Sequence, residues 1–95
     1  MTVQWSFPAE TFLDQLSGED ERRVLHALSR LPLAWNEFVR DGALKPVAGE
    51  DPGSYVLRVG SDLRVVLRRD SGVITVDDVI RRGQLVALGQ LAQPR

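Results

Sequence analysis

Between Tyr55 and Ile80 the chain passes through three stretches of alternating apolar and polar side chains, roughly 55–59, 63–69 and 73–80. Clusters of turn formers, Gly60-Ser61-Asp62 and Asp70-Ser71-Gly72, separate them. Successive side chains of a strand point to opposite faces, so the pattern predicts a three-stranded antiparallel sheet with one buried and one open face. The remainder of the chain has to cover the buried side.

The register of the first hairpin follows from that constraint. Tyr55, Leu57 and Val59 must face the same way as Leu63, Val65 and Leu67, which fixes the parity of pairing. A three-residue turn at 60–62 then sets Val59 against Leu63, and Arg58 directly against Arg64. Like charges in that position cost on the order of several tenths of a kcal/mol. Such a pair is either neutralised within the protein or used to hold an anion. If Asp70-Ser71 forms a two-residue turn, Leu67 falls opposite Ile74 and Arg64 opposite Asp77, whose carboxylate would screen the pair. In the other reading the guanidinium forks grip phosphate oxygens, with Arg81 and Arg82 extending the cationic surface. The residues alone leave both readings open.

Upstream, Val3, Trp5 and Phe7 alternate as in a strand, and Pro8 opens a short helix carrying Phe12, Leu13 and Leu16. Ser17-Gly18-Glu19-Asp20 reads as a capped start for a second helix, with Val24, Leu25, Leu28 and Leu31 as its buried stripe. Pro32 should kink or end it, while Trp35, Phe38 and Val39 continue the apolar face to Asp41-Gly42. Residues 43–54 read as a loop, and 84–95 fit a final strand, a turn or a short helix equally well. The expected architecture is α+β: an N-terminal strand, two helices with the second kinked or split near Pro32, then the three-stranded antiparallel sheet.

Composition narrows the function classes. Ninety-five residues suit a single domain spanning 1–95. The absence of cysteine excludes disulfides and thiolate metal sites, and one histidine cannot build a usual zinc site, so no metal or other cofactor is expected. That histidine, His26, falls opposite the apolar stripe of its helix and should be exposed. There is no Gly-rich phosphate loop followed by Lys-Ser/Thr, and no nucleophile–histidine pairing. The N-terminal residues lack a basic-then-apolar leader and no apolar run approaches membrane-spanning length, so a cytoplasmic protein without membrane partners is expected. The overall charge of −1 hides an asymmetry: −4 through Gly53, +3 from Ser54 onward. An acidic helical half beside a basic sheet suggests one surface suited to an anion.

Together, the element order and two segments, Tyr55–Leu67 and Gly72–Leu85, resemble the RelE/ParE superfamily of toxins from type II toxin–antitoxin pairs. Tyr55, Leu57, Arg58, Gly60, Arg64, Val65 and Val66 match that family's hairpin. Ile74, Val76 and Val79 match its last strand, and Arg82 the arginine after it. Leu44-Lys45-Pro46-Val47-Ala48-Gly49 is similar to the segment before the sheet.

The resemblance to the ribonuclease branch implies metal-independent cleavage of messenger RNA on the ribosome, and hence inhibition of translation. A ribose 2′-hydroxyl would attack the adjacent phosphate. Arg64 and Arg82 would stabilise the charge developing on phosphorus oxygens, and Arg58, Arg68, Arg81 and Lys45 would bind RNA phosphates. The branch commonly carries a tyrosine or histidine shortly after the last arginine. Here that stretch is Gly83-Gln84-Leu85-Val86-Ala87-Leu88, leaving Asp77 or Asp78 for proton transfer. The ParE branch instead implies poisoning of DNA gyrase, and a third possibility is a degenerate relative that serves only as an interaction module. In every case the resemblance implies a cognate antitoxin as partner.

Overall fold

A computed structural model describes residues 2–47 and 53–83. The elements are β1 (Thr2–Trp5), α1 (Phe7–Asp14), α2 (Gly18–Arg40), β2 (Leu44–Pro46), β3 (Ser54–Val59), β4 (Leu63–Asp70) and β5 (Val73–Arg81). The expected strand, two helices and antiparallel meander are all present, so the α+β class holds. The residues 84–95, for which several conformations were compatible with the sequence, lie outside the described part.

Both helices start where side-chain chemistry dictates. Ser6 Oγ accepts the Ala9 N–H at 3.2 Å, and Ser17 Oγ accepts that of Asp20 at 3.2 Å. The distortion expected near Pro32 appears two residues later, at Ala34 (φ −131°, ψ 30°). Pro32 has no N–H for the Leu28 carbonyl, and the helix resumes beyond Ala34 to end at Arg40, with Gly42 at φ +77° turning the chain out. No helix among the described residues is long and apolar enough to cross a membrane.

The sheet is larger than the sequence indicates. Its order is β1-β5-β4-β3-β2, with β1 parallel to β5 and every other pair antiparallel. The meander is therefore the centre of a five-stranded mixed sheet. Part of the stretch read as loop, Leu44–Pro46, is the edge strand β2, in which Leu44 pairs with Leu57 and is buried. The helices cover one face. Ala9, Val24, Leu28 and Leu31 pack with Leu57, Val65, Leu67, Ile74, Val76 and Val79 in one core cluster. His26 is exposed, as its helical position predicts.

The first hairpin has the expected register, Val59↔Leu63 and Arg58↔Arg64. The second does not. The turn residues are Ser71 (φ 51°) and Gly72 (φ +80°), not Asp70-Ser71, so Asp70 pairs with Val73 and Leu67 with Val76 rather than Ile74. A type I′ hairpin turn, one of the two that match strand twist, needs positive φ at both positions, and glycine supplies the second without strain. A β-bulge follows: Val66 pairs with Asp78, leaving Asp77 as the extra residue, and Arg64 lies opposite Ile80 rather than Asp77. The bulge decides which side chains face where. It lets Val76 and Val79 both enter the core, and it turns Asp78 and Ile80 onto the face that carries Arg64. Ser6, between β1 and α1, pins it, with its N–H donating to Val76 O at 2.9 Å and its hydroxyl to Asp77 O at 2.8 Å.

Candidate functional site

The open face of the sheet has an apolar floor and a cationic rim. By strand alternation Val56, Val66 and Ile80 share this face with Arg58 and Arg64, while Lys45 stands beside Val56 on the edge strand. Arg82, just past the end of β5, lies close enough for its charge to act on Arg64. A groove of about 310 Å³ runs between β2 and β4, lined by Lys45, Pro46, Val56, Arg58 and Arg64, with Gly42 and Ala43 at its end.

Arg64 sits at the centre. The residue is partly buried, and its guanidinium donates from Nη1 to its neighbour's carbonyl, Leu63 O, at 2.7 Å. Partial burial lowers its pKa from the usual arginine value, the positive charges of Arg82 and Arg58 lower it further, and Asp62 acts in the opposite sense. Three guanidinium groups thus share one field. None of Arg58, Arg64 and Arg82 forms an ion pair among the described residues. The expectation that Asp77 screens the Arg58–Arg64 pair is not met, because the bulge moves Asp77 out of register with Arg64.

Asp77 instead receives Arg68. Arg68 Nε and Nη2 donate to the two carboxylate oxygens at 2.8 and 3.0 Å, and this hydrogen bond, then the charge of Asp77, raise the arginine's pKa. Arg68 is therefore on the open face but occupied. Arg81 has the other parity and is ion-paired to Asp62 Oδ2 at 2.6 Å, away from the three-arginine group. Of the two aspartates considered for proton transfer, Asp78 is on the open face, where its Oδ1 accepts the Val79 N–H at 2.9 Å. Asp77 is bound to Arg68.

Asp62 is the residue that the sequence reading passed over as a turn former. Its carbonyl accepts the Arg82 N–H at 2.6 Å and its carboxylate holds Arg81, so it extends the β4–β5 pairing by one step and fixes where Arg82 begins. The register Val59↔Leu63, legible in the sequence, already placed it beside the end of the last strand, which was the signal available.

No protein-family model and no curated protein matches this sequence. Solved structures do match in fold. A chain of the E. coli DinJ–YafQ toxin–antitoxin complex superposes with a TM-score of 0.68 at 11% identity, covering 87% of this chain and 93% of that one. The isolated E. coli RelE toxin gives 0.66 at 18% identity, over 95% and 97% of the two chains. The archaeal RelE–RelB complex from Pyrococcus horikoshii OT3 gives 0.65 at 22% identity, over 87% and 96%. The order of helices and strands described above is therefore the fold of the RelE-type toxins.

Proposed function

We propose that this chain is the toxin of a type II toxin–antitoxin pair, a metal-independent endoribonuclease that inhibits translation by cutting messenger RNA on the ribosome. The observation that carries the reading is the group formed by Arg58, Arg64 and Arg82: three cations at an open sheet face, none ion-paired among the described residues. A protein gains nothing in stability from that arrangement, whereas a phosphodiester bound there neutralises it.

In the mechanism the nucleophile is the substrate's own 2′-hydroxyl. The new bond joins O2′ to phosphorus, the bond to O5′ breaks, O5′ takes a proton from solvent water, and the products are a cyclic phosphate and a 5′-hydroxyl. Arg64 and Arg82 stabilise the charge on the equatorial oxygens, Arg58 and Lys45 hold the neighbouring backbone, and the floor of Val56, Val66 and Ile80 takes apolar faces of the nucleotide. Asp78 is the better placed proton acceptor of the two aspartates, since Asp77 is engaged with Arg68. Arg68 and Arg81 contribute long-range attraction to RNA rather than contact with the reacting phosphate. The fold's recurrence in toxin–antitoxin complexes supports a cognate antitoxin as the regulatory partner.

Brief induced expression of the wild type, Arg64→Ala and Arg82→Ala tests the proposal. Ribosome-dependent messenger RNA cuts with the wild type, lost in both variants, are expected. Trapped gyrase–DNA breaks without such cuts, or growth unaffected by the wild type, would overturn it.

A further inference from the structure

A second cationic site lies at the broken part of α2, and it has a different character. A cleft of about 440 Å³ opens there, with Leu33, Trp35, Asn36, Glu37, Arg40 and Arg69 in its walls. Arg69 comes from the end of β4 but has the parity of Leu67, so it projects toward the helices and away from the Arg64 face. Its guanidinium carbon lies 4.5 Å from the Trp35 ring centroid, and Trp35 in turn packs edge-on to Tyr55 at 5.0 Å. A guanidinium stacked this way is held in place while its hydrogen-bonding edge stays available.

Neither Arg69 nor Arg40 forms an ion pair among the described residues. Beside them Leu33 is 91% exposed, more than any other large apolar side chain described. One cation held over an indole, a second exposed arginine and an uncovered leucine share one cleft. We propose that this cleft docks a partner polypeptide through a segment in which acidic and apolar side chains alternate. A carboxylate bridges Arg40 and Arg69, and a neighbouring apolar side chain covers Leu33.

The chemistry argues against nucleic acid as the occupant. Arg69 already covers a face of Trp35 and Tyr55 packs against the indole, so the ring is a poor platform for a base. Glu37 in the same wall repels a continuous polyanion but tolerates a single carboxylate held by the two arginines. The inference does not depend on the ribonuclease reading, because the cleft shares no residue with the Arg58, Arg64 and Arg82 group.

The test is a titration of the full isotope-labelled chain, following the Trp35 indole N–H and the Arg69 and Arg82 Nε–H signals by NMR. The probes are a blocked synthetic peptide alternating glutamate and leucine, its glutamine counterpart, and oligouridylate. The Glu-Leu peptide should shift Trp35 and Arg69 saturably and leave Arg82 in place. Its affinity should fall about tenfold or more in Arg69→Gln and in Arg40→Gln, and by a similar factor for the glutamine peptide, as loss of a charge-assisted hydrogen bond requires. Both substitutions are at exposed positions, and retention of the remaining spectrum reports folding. Oligouridylate shifting Trp35 and Arg69, the peptide shifting only Arg82, or no saturable shift would each overturn the proposal. A wild-type chain that docks the peptide but makes no ribosome-dependent RNA cuts would instead overturn the function proposed above and leave this site standing.

Discussion

Arg58 and Arg64 stand directly opposite each other across β3 and β4, and no carboxylate among the described residues pairs with either. The arrangement sacrifices some stability, and its removal has a readable sign. Arg58→Thr replaces a like-charge neighbour with a residue suited to a strand, and should stabilise the fold by about 0.2–1 kcal/mol. A higher urea midpoint with unchanged slope, alongside weaker RNA cleavage, is the expected result. A lower midpoint would show that Arg58 is held favourably in the free protein.

The depressed pKa of Arg64 leads to a linked prediction. A cation whose folded pKa lies below its unfolded value makes a destabilising contribution wherever it is protonated. That contribution is therefore present through the whole neutral range and disappears only as pH rises past the folded and then the unfolded value. A bound anion should offset it. Sulfate at about ten times its dissociation constant would add about 1.4 kcal/mol, which for a domain of this size raises Tm by roughly 6–11 °C. Thermal unfolding should show this rise saturating in the wild type and shrinking in Arg64→Ala. An equal rise in both would mean that sulfate acts only by exclusion from the surface.

Ser6 carries two structural duties through one hydroxyl, capping α1 and tying Asp77 O to the β1–α1 junction. Ser6→Ala removes both and should cost about 1–3 kcal/mol in chemical denaturation. Ser6→Thr, which keeps the hydroxyl, should recover most of the loss. A negligible effect of alanine would show that the bulge needs no support from Ser6.

Gly53 allows no side chain. Its φ is +97°, and a Cβ there would lie 2.8 Å from Arg69 O. Gly53→Ala should therefore destabilise by about 1–3 kcal/mol, measured again by urea unfolding. It should also disturb Arg69, whose N–H donates to Gly53 O at 2.8 Å. The NMR signal of Arg69 over Trp35 is the local readout.

The elements that could be read from sequence were those with a repeating local cause. Alternation gave β3, β4 and β5, Pro8 gave the start of the first helix, and Ser17 before a helical stripe gave that of the second, whereas the cap at Ser6 was hidden by an alternation that carries on to Phe7. The Arg58–Arg64 pairing came from counting across a three-residue turn with apolar partners on both sides. What escaped reading depends on neighbours distant in sequence. Leu44–Pro46 is too short and too rich in breakers to announce a strand, and becomes one by pairing with β3. Adjacent Asp77 and Asp78 give no sign of which one leaves the ladder, so the partners of Arg64 and Arg68, and the choice between Arg81 and Arg82, could not be assigned from pattern. Asp62 escaped because its side chain and its carbonyl act on the far end of another strand.

The extra residue in β5 works as a phase slip. Residues before it count in one even rhythm and residues after it in the opposite one, so a tally of odd and even positions from Val73 misplaces Asp78 and Ile80. Beyond the slip, Asp78 and Ile80 keep step with Val66 and Arg64, and the end of the strand is anchored from the other side, where the Asp62 carbonyl holds the Arg82 backbone.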